Sequence, residues 1–177
     1  INKNKFKIGF VGALTLRKGF DLIVSLCEQL SLLYGNFEIV LIGANKEYSD
    51  FPFGSERYRN IKFLGSLQHD EVRKELDSFD LYIQPSRSEG VPRATIEAMS
   101  RGLPVVSSDI PGFIDLGLRS DNMFKSGDHA DFLLKVVQVL TNVEKYNLSS
   151  KENSNLAANF IYERLHNVRV GFYKKLL

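Results

Sequence analysis

The sequence predicts an α/β fold: a Rossmann-like, doubly wound parallel sheet of about six strands with helices on both faces. Three observations carry this. Short β-branched and aromatic runs alternate with longer amphipathic segments along the chain. The short runs are apolar at successive positions, as strands covered on both faces require. The 177 residues suit a single domain, long enough to bury roughly two thirds of its unfolded surface without a disulfide or metal.

Residues 7–12 (KIGFVG) read as a strand ended by glycine, and 18–34 as a helix with Phe20, Ile23, Leu26, Cys27, Leu30 and Leu33 on one stripe. Cys27 lies in that stripe and reads as a small core residue. Residues 37–43 (FEIVLIG) and 61–65 (IKFLG) are the next strands. Between them, 44–60 is an aromatic and polar loop, holding Pro52 and Gly54, with one helical turn at most. Residues 70–79 form a short helix, and 80–86 (DLYIQPS) a strand stopped by Pro85. Residues 92–101 form a helix with Pro92 at its tolerated first position. A strand at 104–109, a short one at 122–126, and helices at 128–140 and 153–177 complete the chain. Right-handed crossovers between parallel strands then give the doubly wound topology.

Composition excludes several classes. Hydrophobic residues make up 44% and charged residues 25%, values foreign to disordered, collagenous or coiled-coil chains. Lys plus Arg total 23 against 21 Asp plus Glu, a net +2 that gives no support to a nucleic-acid or membrane-coating role. One cysteine excludes an internal disulfide framework, and the 3 histidines (His69, His129, His166) are too scattered for a metal site. Apolar runs such as 81–83 and 103–106 are far short of a membrane span. The chain opens at Ile1 without a Met and with a polar lead, so a domain of a longer protein is expected.

In a doubly wound sheet the ligand crevice lies at the carboxyl ends of the strands. Three strand ends carry unusual loops. The first, residues 12–19 (GALTLRKG), has Gly12 and Gly19 for close backbone approach, with Arg17 and Lys18 at a helix N-terminus. Exposed amides, the helix dipole and two cations make an anion site. The glycine spacing is not that of the dinucleotide fingerprint, and a solvated turn fits the same residues.

The second loop, SRSEGVPRATIEAM at 86–99, leads into a helix. Gly90 permits a positive φ and leaves amides bare, and the helix start adds unpaired N–H groups. A phosphate fits there. Glu89 precedes the helix, and Glu97 lies about 7–8 Å further along its axis. That spacing does not define a glycosidase carboxylate pair; it suits two acids gripping hydroxyls at opposite ends of an elongated ligand. Surface acids remain the other reading, although Ile96, Ala98 and Met99 beside Glu97 favour burial near a ligand. The third loop, SSDIPG at 107–112, reads as an ordinary turn.

The run SEGVPRATIEAMSRGLPVVSSDIPG resembles the signature of the group 1 (family 4) glycosyltransferases. Their carboxyl-terminal domain carries a Glu, seven residues, a second Glu, then Ala-Met and a Gly-Leu-Pro-Val-Val strand. Glu89, Glu97, Ala98, Met99, Gly102, Leu103, Pro104, Val105 and Val106 match. FVGALTLRKG resembles the first strand and phosphate loop of the family, and NIKFLGSL with DEVRKELDSFDLYIQPS resembles the strand–helix–strand before the motif. The resemblance covers about residues 6–145 and implies one half of a two-domain GT-B fold.

It also implies retaining transfer of a sugar from a nucleotide-diphosphate sugar, with no metal and no other cofactor. Lys18 would neutralise the donor diphosphate and Glu89 would hold the sugar hydroxyls, the two groups nearest the reaction. Amides around Gly90 and Val91 would bind the diphosphate or sugar, Glu97 the ribose, and Gly65 to Leu67 would lie near the base. Gly12, Arg17 and Arg93 complete the implied donor site. Fixed positive charge and oriented N–H groups would assist departure of the diphosphate. The acceptor would bind an amino-terminal domain expected to be missing here, so this domain alone would bind donor weakly and transfer nothing. The implied setting is bacterial surface polysaccharide synthesis in the cytoplasm, in some cases at the inner membrane face, on a glycan or lipid-linked acceptor. The last helix would reach toward the missing domain, leaving Phe160, Leu165, Val168, Phe172, Tyr173 and Leu176 as an orphaned interface; plain core packing accounts for the same residues.

There is one departure. Many family members have Arg directly after the first glycine, where this chain has Ala13. That removes a bidentate phosphate contact, which Arg17 or Arg93 could replace. Competing readings are a nucleotide-sugar 2-epimerase of the same architecture, a non-catalytic nucleotide- or partner-binding domain, and a flavodoxin-like receiver. The epimerase needs a carboxylate–histidine arrangement, for which His69 and His129 are not obviously placed. Ala13 keeps the non-catalytic reading open. The receiver needs acids after the first strand, and residues 12–15 offer none.

Overall fold

The computed structural model describes residues 5–161 together with Arg164 and His166. Six strands form one sheet: β1 (Phe6–Val11), β2 (Phe37–Ile42), β3 (Ile61–Gly65), β4 (Leu81–Gln84), β5 (Val105–Ser108) and β6 (Met123–Phe124). Their order is β3-β2-β1-β4-β5-β6, and every pair is parallel. This is the predicted doubly wound sheet. The chain winds one way from β1 to β3 and the other way from β4 to β6, so the direction reverses between β1 and β4.

Each face has its own apolar core. On one, Ile8 and Phe10 of β1, Ile39 and Leu41 of β2 and Ile83 of β4 pack with α1 (Phe20–Leu33) and α5 (His129–Thr141). On the other, Val40, Ile42, Tyr82 and Val105 meet α2 (His69–Leu76), α3 (Arg93–Ser100) and α4 (Pro111–Ile114). The alternation of partners along each strand follows from the two-residue repeat of side-chain direction. The loop over 44–60 closes against the first core. Its Tyr48 and Phe51 rings lie 4.5 and 5.1 Å from Phe20, and a single 3-10 turn, Glu56–Tyr58, is its one helical piece.

Two helical features differ from the sequence reading. Most of the helix read over 153–177 lies outside the described residues, Arg164 and His166 apart, and residues 153–157 instead end a helix that begins ten residues before 153, α6 (Val143–Ala157). Its first turn is capped by the Asn142 side chain, which accepts from the Lys145 N–H at 2.9 Å. Its buried face is Ser149, Asn153 and Ala157, so it carries little of the apolar stripe by which helices are read. Polar bonds hold it instead: Asn153 Nδ2 donates to the Leu103 carbonyl at 2.8 Å, and Asn122 Nδ2 to Ser149 Oγ at 2.8 Å. The second feature is α4, formed where 107–112 reads as a turn. Of the suspected interface residues, Phe160 is half-buried against the second core; Leu165, Val168, Phe172, Tyr173 and Leu176 lie outside the described residues.

Cys27 is fully buried in the first core, and burial pushes its thiol up to about 11. At pH 8 its thiolate fraction is therefore on the order of one in a thousand. An aromatic disulfide reagent is expected to modify the native chain only as fast as it unfolds, with the rate rising steeply in urea. Rapid labelling in native buffer would contradict that burial.

Candidate functional site

The switch between β1 and β4 leaves a crevice at their carboxyl ends, and the first two loops meet over it. Gly19 makes the meeting close. It sits at φ 77, and a Cβ there would stand 2.0 Å from the Pro85 carbonyl oxygen. Further bonds join the loops: the Arg87 N–H donates to the Arg17 carbonyl at 2.8 Å, and the Arg17 guanidinium donates to the Ser88 carbonyl at 3.0 Å. Arg87 also grips both Asp21 oxygens, at 2.8 and 2.7 Å. Burial works against the Asp21 charge, but the hydrogen bond and positive charge of Arg87 outweigh it and hold the carboxyl below its ordinary value.

The loops bring Lys18 and Glu89 together. Lys18 Nζ lies 2.6 and 2.7 Å from the two Glu89 oxygens, with the side chains 19% and 8% exposed. Glu89 Oε1 also accepts from Ser86 Oγ at 2.7 Å. Ser86 accepts from Gln84 Nε2 at 3.0 Å, and Gln84 Oε1 accepts from the Tyr82 hydroxyl at 2.6 Å. Tyr82 is wholly buried, and burial first, then the charges of Glu89 and Glu97, push its phenol well above the usual range. The third loop backs the second. A Cβ on Gly112 would stand 2.9 Å from the Glu89 carbonyl and 3.0 Å from that of Gly90. The turn read there is in fact the first turn of α4, pressed against the motif.

An open cleft of about 320 Å³ lies beside the pair. Gly12, Ala13, Lys18, Gln84, Glu89, Val91, Arg93 and Thr95 line it. Gly90 stands in the same loop but does not carry the expected positive φ, and a Cβ there would meet nothing within 4 Å. What Gly90 contributes is open space rather than a positive-φ turn. Pro92 also departs from the reading: it caps α3 at φ −80 instead of opening it. Of the two candidates for the missing guanidinium, Arg17 is engaged with the Ser88 carbonyl. The exposed Arg93 side chain makes no hydrogen bond or ion pair among the described residues, and it borders the cleft.

Glu97 does not line this cleft. It borders a neighbouring depression of about 300 Å³ with His69, Arg73, Ser100 and Arg101, between α2 and α3. Gly65 and Leu67 stand at the carboxyl end of β3, two strands from β1, and also lie outside the cleft lining. Two parts of the site escaped the sequence reading: the Tyr82–Gln84–Ser86 stripe and the backing by Gly112. The stripe had a signal, since polar residues at alternate positions interrupt a strand that is otherwise apolar. Among the described residues, no three His, Cys, Asp or Glu side chains converge as metal ligands, and no helix is long and apolar enough to cross a membrane.

The chain is similar in sequence and in fold to known proteins. An amylovoran biosynthesis glycosyltransferase of Erwinia amylovora is 31% identical over 115 residues, covering 60% of this chain and 28% of that protein. An uncharacterized glycosyltransferase of Methanocaldococcus jannaschii is 23% identical over 168 residues, covering 92% of this chain and 46% of that protein. The chain thus spans less than half the length of these relatives. Among solved structures, the catalytic domain of cholesterol-alpha-glucosyltransferase from Helicobacter pylori aligns with TM-score 0.77 and 21% identity, over 88% of this chain and 99% of that one. The pneumococcal O-GlcNAc transferase GtfA, in complex with UDP and GlcNAc, aligns with TM-score 0.81 and 17% identity, over 98% of this chain and 36% of that one; at such identities these two show the fold. Residues 1–155 match the family described as glycosyl transferases group 1, and the chain belongs to that family.

Proposed function

We propose that this chain is the donor-binding half of a retaining glycosyltransferase. It takes a nucleotide-diphosphate sugar and, with a second domain holding the acceptor, passes the sugar to a glycan or lipid-linked acceptor in surface polysaccharide synthesis. The enzyme works in the cytoplasm, at the inner membrane face where its acceptor is lipid-linked. The observation that carries this reading is the convergence of Lys18 and Glu89 on one cleft beside the start of α3. Cation, acid and unpaired N–H groups are the parts a charged leaving group and a hydroxylated sugar require.

On this reading the diphosphate takes Lys18 from Glu89 and gains Arg93. Glu89, no longer shared with the ammonium, faces the sugar hydroxyls. Charge growing on the departing diphosphate meets two cations and the N–H groups at the head of α3, so no metal is needed for transfer. Glu97 holds the ribose from the adjoining depression, and residues 65–67 flank the base.

Calorimetric titration of the chain with UDP, GDP and ADP tests the site and reads the base. At least one is expected to bind, and silence from all three overturns the reading. Arg93→Ala should weaken that binding about tenfold, the scale of a charge-assisted phosphate contact. Arg17→Ala should cost less than about threefold, because its guanidinium already serves the Ser88 carbonyl. The reverse ranking would assign the missing guanidinium to Arg17.

A further inference from the structure

Strand β4 sits between β1 and β5, with helices on both faces. A strand so placed normally carries apolar residues throughout. Here Tyr82 and Gln84, at alternate positions and thus on one face, and Ser86, two residues past the end of the strand, are 0%, 2% and 0% exposed. Burying three polar side chains lowers stability unless each is bonded, and apolar residues would serve the sheet as well. The stripe therefore asks for a purpose beyond packing, and its bonds show one.

The direction of every bond is fixed from the outer end. A carboxylate paired with an ammonium only accepts, so Ser86 Oγ donates to Glu89 at 2.7 Å. With its proton committed, Ser86 accepts from Gln84 Nε2 at 3.0 Å. That turns Gln84 Oε1 inward, to accept from the Tyr82 hydroxyl at 2.6 Å. A longer contact of 3.5 Å also links Gln84 Nε2 to Glu89. Lys18 approaches Glu89 from the opposite loop, where the cleft opens. Glu89 is thus held by a partner that can leave and by one anchored in the sheet.

We propose that Gln84 and Ser86 are positioning residues that keep Glu89 turned to the donor sugar when Lys18 transfers to the diphosphate. This rests on the donor-site reading above. Without Ser86 the carboxylate keeps Lys18 and only the long 3.5 Å contact from Gln84. Diphosphate and Glu89 then compete for one ammonium, and the sugar adds little to binding. The relay thus separates charge neutralisation from sugar recognition.

The test measures, on the 177-residue chain, the affinity for UDP, GDP and ADP against that for UDP-glucose, UDP-N-acetylglucosamine, GDP-mannose and ADP-glucose. The wild type is expected to bind one sugar conjugate more tightly than its parent diphosphate. Ser86→Ala should reduce that advantage about tenfold, toward none, while changing affinity for the diphosphate itself less than about threefold, and Gln84→Leu should reduce the advantage in the same direction. Ser86→Thr, which keeps the hydroxyl, should restore it. Ser107→Ala is the control. It removes a buried hydroxyl with no hydrogen-bond partner, from the residue paired with Gln84 on β5, and should leave both affinities alone. Loss of diphosphate affinity in step with conjugate affinity would mark a structural role and overturn the proposal. So would an undiminished sugar advantage in folded Ser86→Ala and Gln84→Leu, or a wild type that gains nothing from any sugar. Failure of the wild type to bind any nucleotide would instead sink the donor-site reading itself.

Discussion

Lys18→Met is expected to abolish measurable nucleotide-diphosphate binding and, at the same time, to destabilise the ligand-free domain by about 2–3 kcal/mol. The second effect separates this lysine from most others in the chain. Exposed ion pairs contribute little, as expected for Arg73–Asp70, whose side chains are 51% and 86% exposed. Glu89 is only 8% exposed and takes two of its bonds from Lys18. Removing the ammonium leaves a charge in a confined site with Ser86 as its close partner. The cleft admits some water, which keeps the cost below the roughly 3–5 kcal/mol of a fully buried pair. Pairing the change with Glu89→Gln removes the stranded charge, so the double variant should be more stable than Lys18→Met alone by about 1 kcal/mol or more. Urea unfolding of the single and double variants checks this. Equal stability of the two would show that Glu89 does not depend on Lys18.

The fold was legible because its driving pattern is local. Runs such as FEIVLIG declare a buried strand by themselves, and alternation with amphipathic helices leaves a doubly wound sheet as the economical arrangement. The elements that escaped lack such a pattern. Helix α6 buries serine and asparagine, whose burial is favourable only because Leu103 and Asn122 meet them; no periodicity announces partners 50 and 27 residues away. The site divides in the same way. Lys18, Glu89 and the cleft beside them follow from where strand ends lie in this topology. Its fine structure does not. A positive φ is permitted at Gly90 but is found at Gly19, where the first loop closes on Pro85. The spacing of Glu89 and Glu97 sets them at opposite ends of a ligand, but only the packing of α3 against α2 shows that Glu97 borders a separate depression. Such differences arise from contacts between residues far apart in sequence, which composition and spacing do not encode.

Gly19→Ala should be among the most damaging single-methyl changes in the chain, costing about 3–4 kcal/mol and loosening the site together with the fold. Two separable terms add. A non-glycine residue at φ 77 bears the left-handed penalty, about 1–2 kcal/mol. The new Cβ also meets the Pro85 carbonyl oxygen at 2.0 Å and its carbon at 2.8 Å, backbone atoms that cannot swing away as a side chain would. Gly127→Ala isolates the first term, since Gly127 has φ 85 and open space where a Cβ would go; it should cost about 1 kcal/mol. The difference between the variants is then the clash. The chain relieves it by moving the first loop away from Pro85, which carries Lys18 away from Glu89. Gly19→Ala should therefore weaken nucleotide-diphosphate binding at least about tenfold even where the domain stays folded, whereas Gly127→Ala should leave binding unchanged. Equal costs for the two variants, by urea unfolding, would mean that the loops are not pressed together at Gly19, and the close approach that joins Lys18 to Glu89 would need another source.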